Sequence, residues 1–192
     1  MAKDLMFQEE IKGSVRQAYS AITTGGGEAV ARRVYTDDEL VEVPAGAVEW
    51  SLSVGNPVRY AFLQPGETVL DIGSGGGIDT ILAAKRVGPE GRAVGLDMLE
   101  DMCERGRRHA AEAGVGDWTE FVPGEMEDIP LPDESIDVVI SNGVLNLSAR
   151  KSRALAEMFR LLKPGGRICM ADLTVERELP AEIANDQSAW AG

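Results

Sequence analysis

The sequence predicts an α/β fold: a doubly wound, mostly parallel sheet with helices on both faces. Three observations predict it. From residue 68 onward, short apolar runs alternate with helix-periodic stretches, the pattern of repeated strand–helix units. The first run, Val69-Leu70-Asp71-Ile72, passes directly into Gly73-Ser74-Gly75-Gly76-Gly77 and then into a helical stretch. The second run closes on an acid, Asp97, twenty residues beyond Gly77.

The elements follow in order. Ile11, Val15, Ala18, Tyr19 and Ile22 recur at threes and fours, which predicts a helix over 8–23. Gly25-Gly26-Gly27 breaks it. Thr36 with Glu39 three residues on reads as a capping box for a short helix at 36–40, and Pro44 and Gly46 read as turns. Residues 1–60 are expected to form an N-terminal helical extension or lid, and 61–192 the ligand-binding domain. Strands are expected at 68–72, 93–97, 118–122, 136–141 and 167–174, with helices at 77–87, 99–113 and 149–162 between them. Lys163-Pro164-Gly165-Gly166 reads as the turn before the fifth strand, and a short helix is expected at 180–189.

Composition narrows the function classes. A net charge of −13 repels phosphate backbones and anionic lipid, so neither nucleic acid nor membrane is an expected partner. No apolar run is long enough to span a bilayer or to act as a secretory signal, which leads us to expect a cytoplasmic protein. The two cysteines, Cys103 and Cys169, fall in different elements with no metal-ligand spacing, and no metal is expected. The single histidine, His109, lies in an Arg-rich helical stretch and is expected to be solvated, which disfavours a Ser-His-Asp hydrolase.

In a doubly wound sheet, ligands bind at the carboxyl ends of the strands. Four pieces converge there: the glycine turn, Asp97, Gly124-Glu125-Met126 and Ser141-Asn142. Asp97 suits ribose hydroxyls, Glu125 suits an adenine amino group, and Met126 can pack on the ring. Asn142 would lie beside a reacting centre. Each of these residue types also serves as a cap, turn or solvated loop residue, so the reading rests on their combination. A nicotinamide dinucleotide and S-adenosylmethionine both suit such a layout. Carboxylates at Asp71, Asp79 and Asp97 suit the ammonium and sulfonium of the second better than a pyrophosphate, and no second nucleotide-binding half is present.

Asp71-Ile-Gly-Ser-Gly-Gly-Gly resembles the first motif of class I S-adenosylmethionine-dependent methyltransferases, which have a Rossmann-like fold. Gly55-Asn56-Pro57, Gly95-Leu96-Asp97-Met98, the run from Ile140 to Ser148 and Glu178-Leu179-Pro180-Ala181-Glu182-Ile183 resemble the arsenite methyltransferase group more closely. The resemblance covers about residues 11–192. It implies S-adenosylmethionine as cofactor and a small-molecule methyl acceptor. It implies a cofactor site made of Asp71, Gly73, Ser74, Gly75, Asp97, Met98, Glu125, Met126 and Asn142.

Two departures stand out. Arsenite enzymes hold trivalent arsenic with soft thiolates. The cysteine positions of that group are Val54 and Gly143 here, and the glycines at 25–27 include none of the early cysteine. Arsenite is therefore not the expected acceptor. The strand pair that usually follows the fifth strand is also missing; a truncation accounts for that, or else a bare edge is expected for a homodimer or a partner chain to cover. No general base is legible: His109 is on the wrong helix, and Tyr19 and Tyr35 are candidates only to shape the pocket. An acceptor that needs no deprotonation fits that absence. The competing reading is a non-catalytic module that holds the cofactor or needs a partner chain.

Overall fold

The computed structural model describes residues 2–21, 26–174 and 176. Five strands, β1 (Thr68–Ile72), β2 (Arg92–Asp97), β3 (Thr119–Pro123), β4 (Ile136–Asn142) and β5 (Leu162–Ala171), form one all-parallel sheet in the order β3-β2-β1-β4-β5. Side chains alternate between its two faces. Val69, Ala93, Phe121, Val138 and Ile140 pack on one face against α6 (Ile78–Val87) and α7 (Glu100–Glu112). Leu70, Ile72, Val94, Leu96 and Val139 pack on the other against α8 (Lys151–Leu161). Both faces are covered, which is why the strands read as continuous apolar runs rather than alternating ones.

Five helices precede the sheet: α1 (Ala2–Ser20), α2 (Gly27–Val34), α3 (Asp37–Val41), α4 (Ala45–Glu49) and α5 (Pro57–Tyr60). Ala31, Tyr35, Val43, Ala47 and Val58 share the hydrophobic cluster of the first face. Residues of α2, α4 and α5 and the turns beside them therefore share the core of the first face. The Thr36–Glu39 capping box forms as its spacing requires, with the Glu39 amide donating to Thr36 Oγ1 at 3.3 Å and the Thr36 amide to Glu39 Oε2 at 2.8 Å. On α8, Glu157 is buried and takes Arg160 Nη2 at 2.7 Å and the Ile129 amide at 3.1 Å, which fixes the loop between β3 and β4.

Several expectations are corrected. The first helix begins at Ala2, not at residue 8. Pro44 and Gly46 are not turns: Pro44 caps α4 and Gly46 lies inside it. Gly46 is seated on the His109 ring, where a Cβ would lie 2.7 Å from Nε2. His109 is buried, not solvated, because its face of α7 packs on the glycine turn. Its Nδ1 lies 2.8 Å from the Gly76 carbonyl, which can only accept, so Nδ1 carries the proton. The Lys163–Gly166 run is not a closing turn. Leu162 already pairs with Ile136, and a register shift between Ile136 and Val138 absorbs the extra residues as a bulge. The helix expected at 180–189 lies outside the described residues. No helix among the described residues is long and apolar enough to cross a membrane.

Candidate functional site

The chain reverses its order across the sheet beside β1, with β2 and β3 to one side and β4 and β5 to the other. The cleft opens there, above the carboxyl ends of the strands. Asp71, Gly73, Ser74, Gly75, Asp97, Met98, Glu125, Met126 and Asn142 all line it.

The turn after β1 needs glycine at its first position. Gly73 has φ +73°, and a Cβ there would lie 2.3 Å from Val144 Cγ2. The amides of Gly73 and Ser74 both donate to the Leu96 carbonyl, at 2.8 and 3.0 Å, and tie the turn to β2. The Gly75 amide donates to Asp97 Oδ2 at 2.9 Å. Asp97 Oδ1 takes the Leu99 amide at 2.9 Å. Asp97 is thus fixed in place by backbone, and each of its oxygens keeps lone-pair capacity for a ligand hydroxyl.

Three carboxylates surround this turn, Asp71 and Asp79 buried and Asp97 half-buried. Asp71 accepts the Thr80 hydroxyl, at 2.6 Å, and the Thr80 amide. Burial holds its carboxyl well above the usual range, and the charge of Asp79 pushes the same way. Asp79 is pushed up to about 6 by burial, against the hydrogen bonds from Asn142 and Tyr35. Burial also raises Asp97, against the amides of Leu99, Gly75 and Met98. No lysine or arginine pairs with any of the three among the described residues. Buried acids without a counter-ion suit a cationic ligand, whose charge would favour their ionised forms. The glycine turn provides the close approach such a ligand needs. The donor set therefore fits the ammonium and sulfonium of S-adenosylmethionine.

The other pieces sit differently from their simplest reading. The Glu125 carboxylate is engaged by the N-terminal helix, with Lys12 Nζ at 2.5 Å and Arg16 Nη2 at 3.5 Å. Val15 and Tyr19 of the same helix line the cleft, so α1 covers the loop after β3 that carries Glu125. Burial and the charges of Asp97 and Asp172 raise the Tyr19 phenol. Asn142 ties the segment before α5 to β4: its Oδ1 takes the amides of Val54 and Gly55 at 3.0 and 3.1 Å. Its Nδ2 reaches Gly55 O and Asp79 Oδ2, each at 2.8 Å. That knot puts Val54 against Gly143, where a Cβ would lie 3.2 Å from Val54 Cγ1. The two thiols stay protonated, as burial raises Cys103 to about 11 and also raises Cys169.

Sequence reasoning missed one wall altogether. Trp50, Ser51, Leu52 and Ser53 line the cleft, and the Arg105 guanidinium lies 4.0 Å from the centroid of the Trp50 ring. The only sequence signal was their position just before Gly55-Asn56-Pro57. Glu127, which accepts the Ser148 hydroxyl at 2.6 Å and orders the loop under Met126, was also missed.

A family model described as "Methyltransferase domain" matches residues 63–192. An arsenite methyltransferase of Halobacterium salinarum is 35% identical over 96% of this chain and 52% of its own length. A demethylmenaquinone methyltransferase of Symbiobacterium thermophilum is 38% identical over 59% of this chain and 45% of its own. The crystal structure of an arsenic(III) S-adenosylmethionine methyltransferase from Chlamydomonas reinhardtii superposes with a TM-score of 0.70 at 38% identity. It covers 76% of this chain and 51% of that one. The chain spans about half the length of the curated relatives it matches.

Proposed function

The chain belongs to the methyltransferase domain family, and from that premise we propose that it transfers a methyl group from S-adenosylmethionine to a small molecule. The observation that carries the reading is the set of counter-ion-free carboxylates around one glycine turn, Asp71 and Asp79 buried and Asp97 half-buried. When bound, the cofactor supplies an electrophilic methyl group on a sulfonium. Asp97 holds the ribose hydroxyls. Glu125 takes the adenine amino group, and Met98 and Met126 pack on the ring. Asp71 and the turn at Gly73, Ser74 and Gly75 receive the methionine end, beside Asn142. Holding donor and acceptor in line can remove several kcal/mol from the barrier.

Arsenite is not the acceptor in this reading. Gly143, which lines the cleft, and Val54, packed beside it, carry no side-chain atom that can bind arsenic. Residues 1–60 act as a lid over residues 61–192, a role supported by the grip of Lys12 and Arg16 on Glu125. A homodimer or partner chain covers β5. That strand pairs with β4 on one side only among the described residues, and Ile168 and Met170 are partly exposed on it. This edge also favours a second reading, a cofactor-holding module that turns over only with its partner.

Calorimetry with S-adenosylmethionine tests the first step. The wild type binds. Asp97→Ala loses two hydrogen bonds to a charged acceptor, about 1.5 kcal/mol each or more, and binds at least about a hundredfold more weakly. Equal binding by the variant, or none by the wild type, refutes the reading. Turnover of arsenite at a rate comparable to other acceptors refutes the assignment of Val54 and Gly143. Binding without turnover of any acceptor favours the module.

A further inference from the structure

A chain of hydroxyls runs from the acceptor wall of the cleft to the buried Asp79. Ser51 and Ser53 line the cleft, with their Oγ atoms 3.0 Å apart. Ser53 Oγ lies 2.9 Å from the Tyr35 hydroxyl, which donates to Asp79 Oδ1 at 2.9 Å. Donor counting fixes the direction. The Tyr35 proton is on Asp79, so Ser53 must donate to Tyr35, and Ser51 to Ser53. Every hydroxyl then points toward the carboxylate. Ser53 Oγ keeps one lone pair, and it is the partly exposed serine of the two. A proton arriving from the cleft has one place to enter and one place to stop.

Resting on the methyltransferase reading above, we infer that Asp79 takes up the acceptor's proton through Ser53 and Tyr35, so that the acceptor is one that must lose a proton as it is methylated. The acceptor X–H bond breaks and its proton passes to Ser53 Oγ. The Ser53 proton passes to Tyr35, and the Tyr35 proton to Asp79 Oδ1. The electron pair left on X forms the bond to the methyl carbon, whose former bonding pair stays on the donor sulfur. Tyr35 never dwells as a phenolate, since burial and Asp79 hold its hydroxyl far above its ordinary range. The charged and titratable groups facing Asp79 are Tyr35 from the end of α2, Glu39 from α3 and Asp71 from β1. Burial and then the charge of Glu39 raise its proton affinity, and the hydrogen bonds from Asn142 and Tyr35 lower it. The result is a carboxyl poised near 6, ionised at neutral pH and still basic enough to accept.

The test combines infrared titration of the ligand-free protein with kinetics. In the difference between wild type and Asp79→Asn, one carboxyl band should titrate near pH 6 and change frequency in Tyr35→Phe. Acceptor turnover is measured with catechol, 2-mercaptoethanol and, as an acceptor with no proton to lose, dimethyl sulfide. Tyr35→Phe and Ser53→Ala should lower kcat for a protic acceptor about 10²-fold, with S-adenosylmethionine affinity changed less than twofold. Ser53→Thr, which keeps the hydroxyl, should recover most of the rate. A midpoint near 4 overturns the inference. So does a loss of cofactor affinity parallel to the loss of kcat, which would make this network part of the cofactor site. Methylation of dimethyl sulfide alone, or of nothing while the cofactor binds, overturns it as well. Failure to bind S-adenosylmethionine overturns the methyltransferase reading itself and this inference with it.

Discussion

Asp79→Asn should raise stability at neutral pH and lower it in acid. The Asp79 carboxyl moves from 3.8 to about 6 on folding, chiefly through burial. At about 1.4 kcal/mol per pH unit, ionising it in the folded protein costs about 3 kcal/mol more than in the unfolded chain. A pKa raised by folding contributes stability that is fully present below about 4. That contribution is lost as pH climbs through about 6 and stays absent above it. Asparagine cannot ionise and so removes the slope. Its carbonyl can still accept from Tyr35, but its amide then faces the Asn142 amide, and the lost hydrogen bond costs about 1 kcal/mol. The variant should therefore be about 2 kcal/mol more stable than wild type at pH 7.5 and about 1 kcal/mol less stable at pH 4. Urea unfolding of both proteins at pH 4, 5, 6 and 7.5 measures this. Taking the difference cancels the groups that do not act on Asp79, among them Asp97, which is raised, and Glu67, Asp137 and Glu157, which are lowered. A variant-minus-wild-type difference that is constant across this range refutes the argument.

Gly73→Ala places a Cβ 2.3 Å from Val144 in a left-handed backbone. It should cost about 2–4 kcal/mol in thermal unfolding, and calorimetry should show S-adenosylmethionine binding lost. Glu157→Ala leaves the Ile129 amide unpaired at a buried position, while Arg160 keeps Asp133 and the carbonyls of Ile129 and Leu131, and urea unfolding should record a loss of about 1–3 kcal/mol. Lys12→Gln with Arg16→Gln frees Glu125. Because Arg16 and Glu125 are partly exposed, stability should change by less than about 1 kcal/mol. Limited proteolysis of α1 should nevertheless become faster, and an unchanged cleavage rate counts against the lid.

The sheet was legible because its strands are buried on both faces. Val69-Leu70 and Val138-Val139-Ile140 are apolar without alternation, and each run ends on the polar or glycine residue that forms the cleft. The glycine turn and Asp97 were legible because their spacing is a local property. What failed was decided at a distance. The Lys163–Gly166 run carries turn residues, but β4 recruits Leu162 into the sheet and a bulge takes up the slack. His109 sits among arginines on a polar-looking helix, and its partner, the Gly76 carbonyl, comes from another element. The hydroxyl chain joins residues 35, 51, 53 and 79, which no periodicity connects.

That last failure explains why a general base was not found in the sequence. A base read from sequence is sought as a histidine or an isolated acid near the motif. Asp79 lies two residues beyond the motif and looks like an N-terminal helix acid, a common choice for the dipole alone. Its environment makes the difference: burial and the charge of Glu39 keep it basic, and Tyr35 and Asn142 bind its two oxygens. All three partners come from outside the βα turn that carries Asp79. The cleft thus has two origins. Its donor end is made by the tips of β1 and β2 and the loop after β3, where the spacing of short motifs fixes geometry. Its acceptor end is made by residues 35–54, held to β4 by the amide of Asn142. Because Asn142 grips both the Val54 amide and Asp79, a change in the wall at residues 50–54 alters acceptor fit and proton affinity together. Acceptor preference and the need for a base are therefore coupled properties of one short stretch of chain.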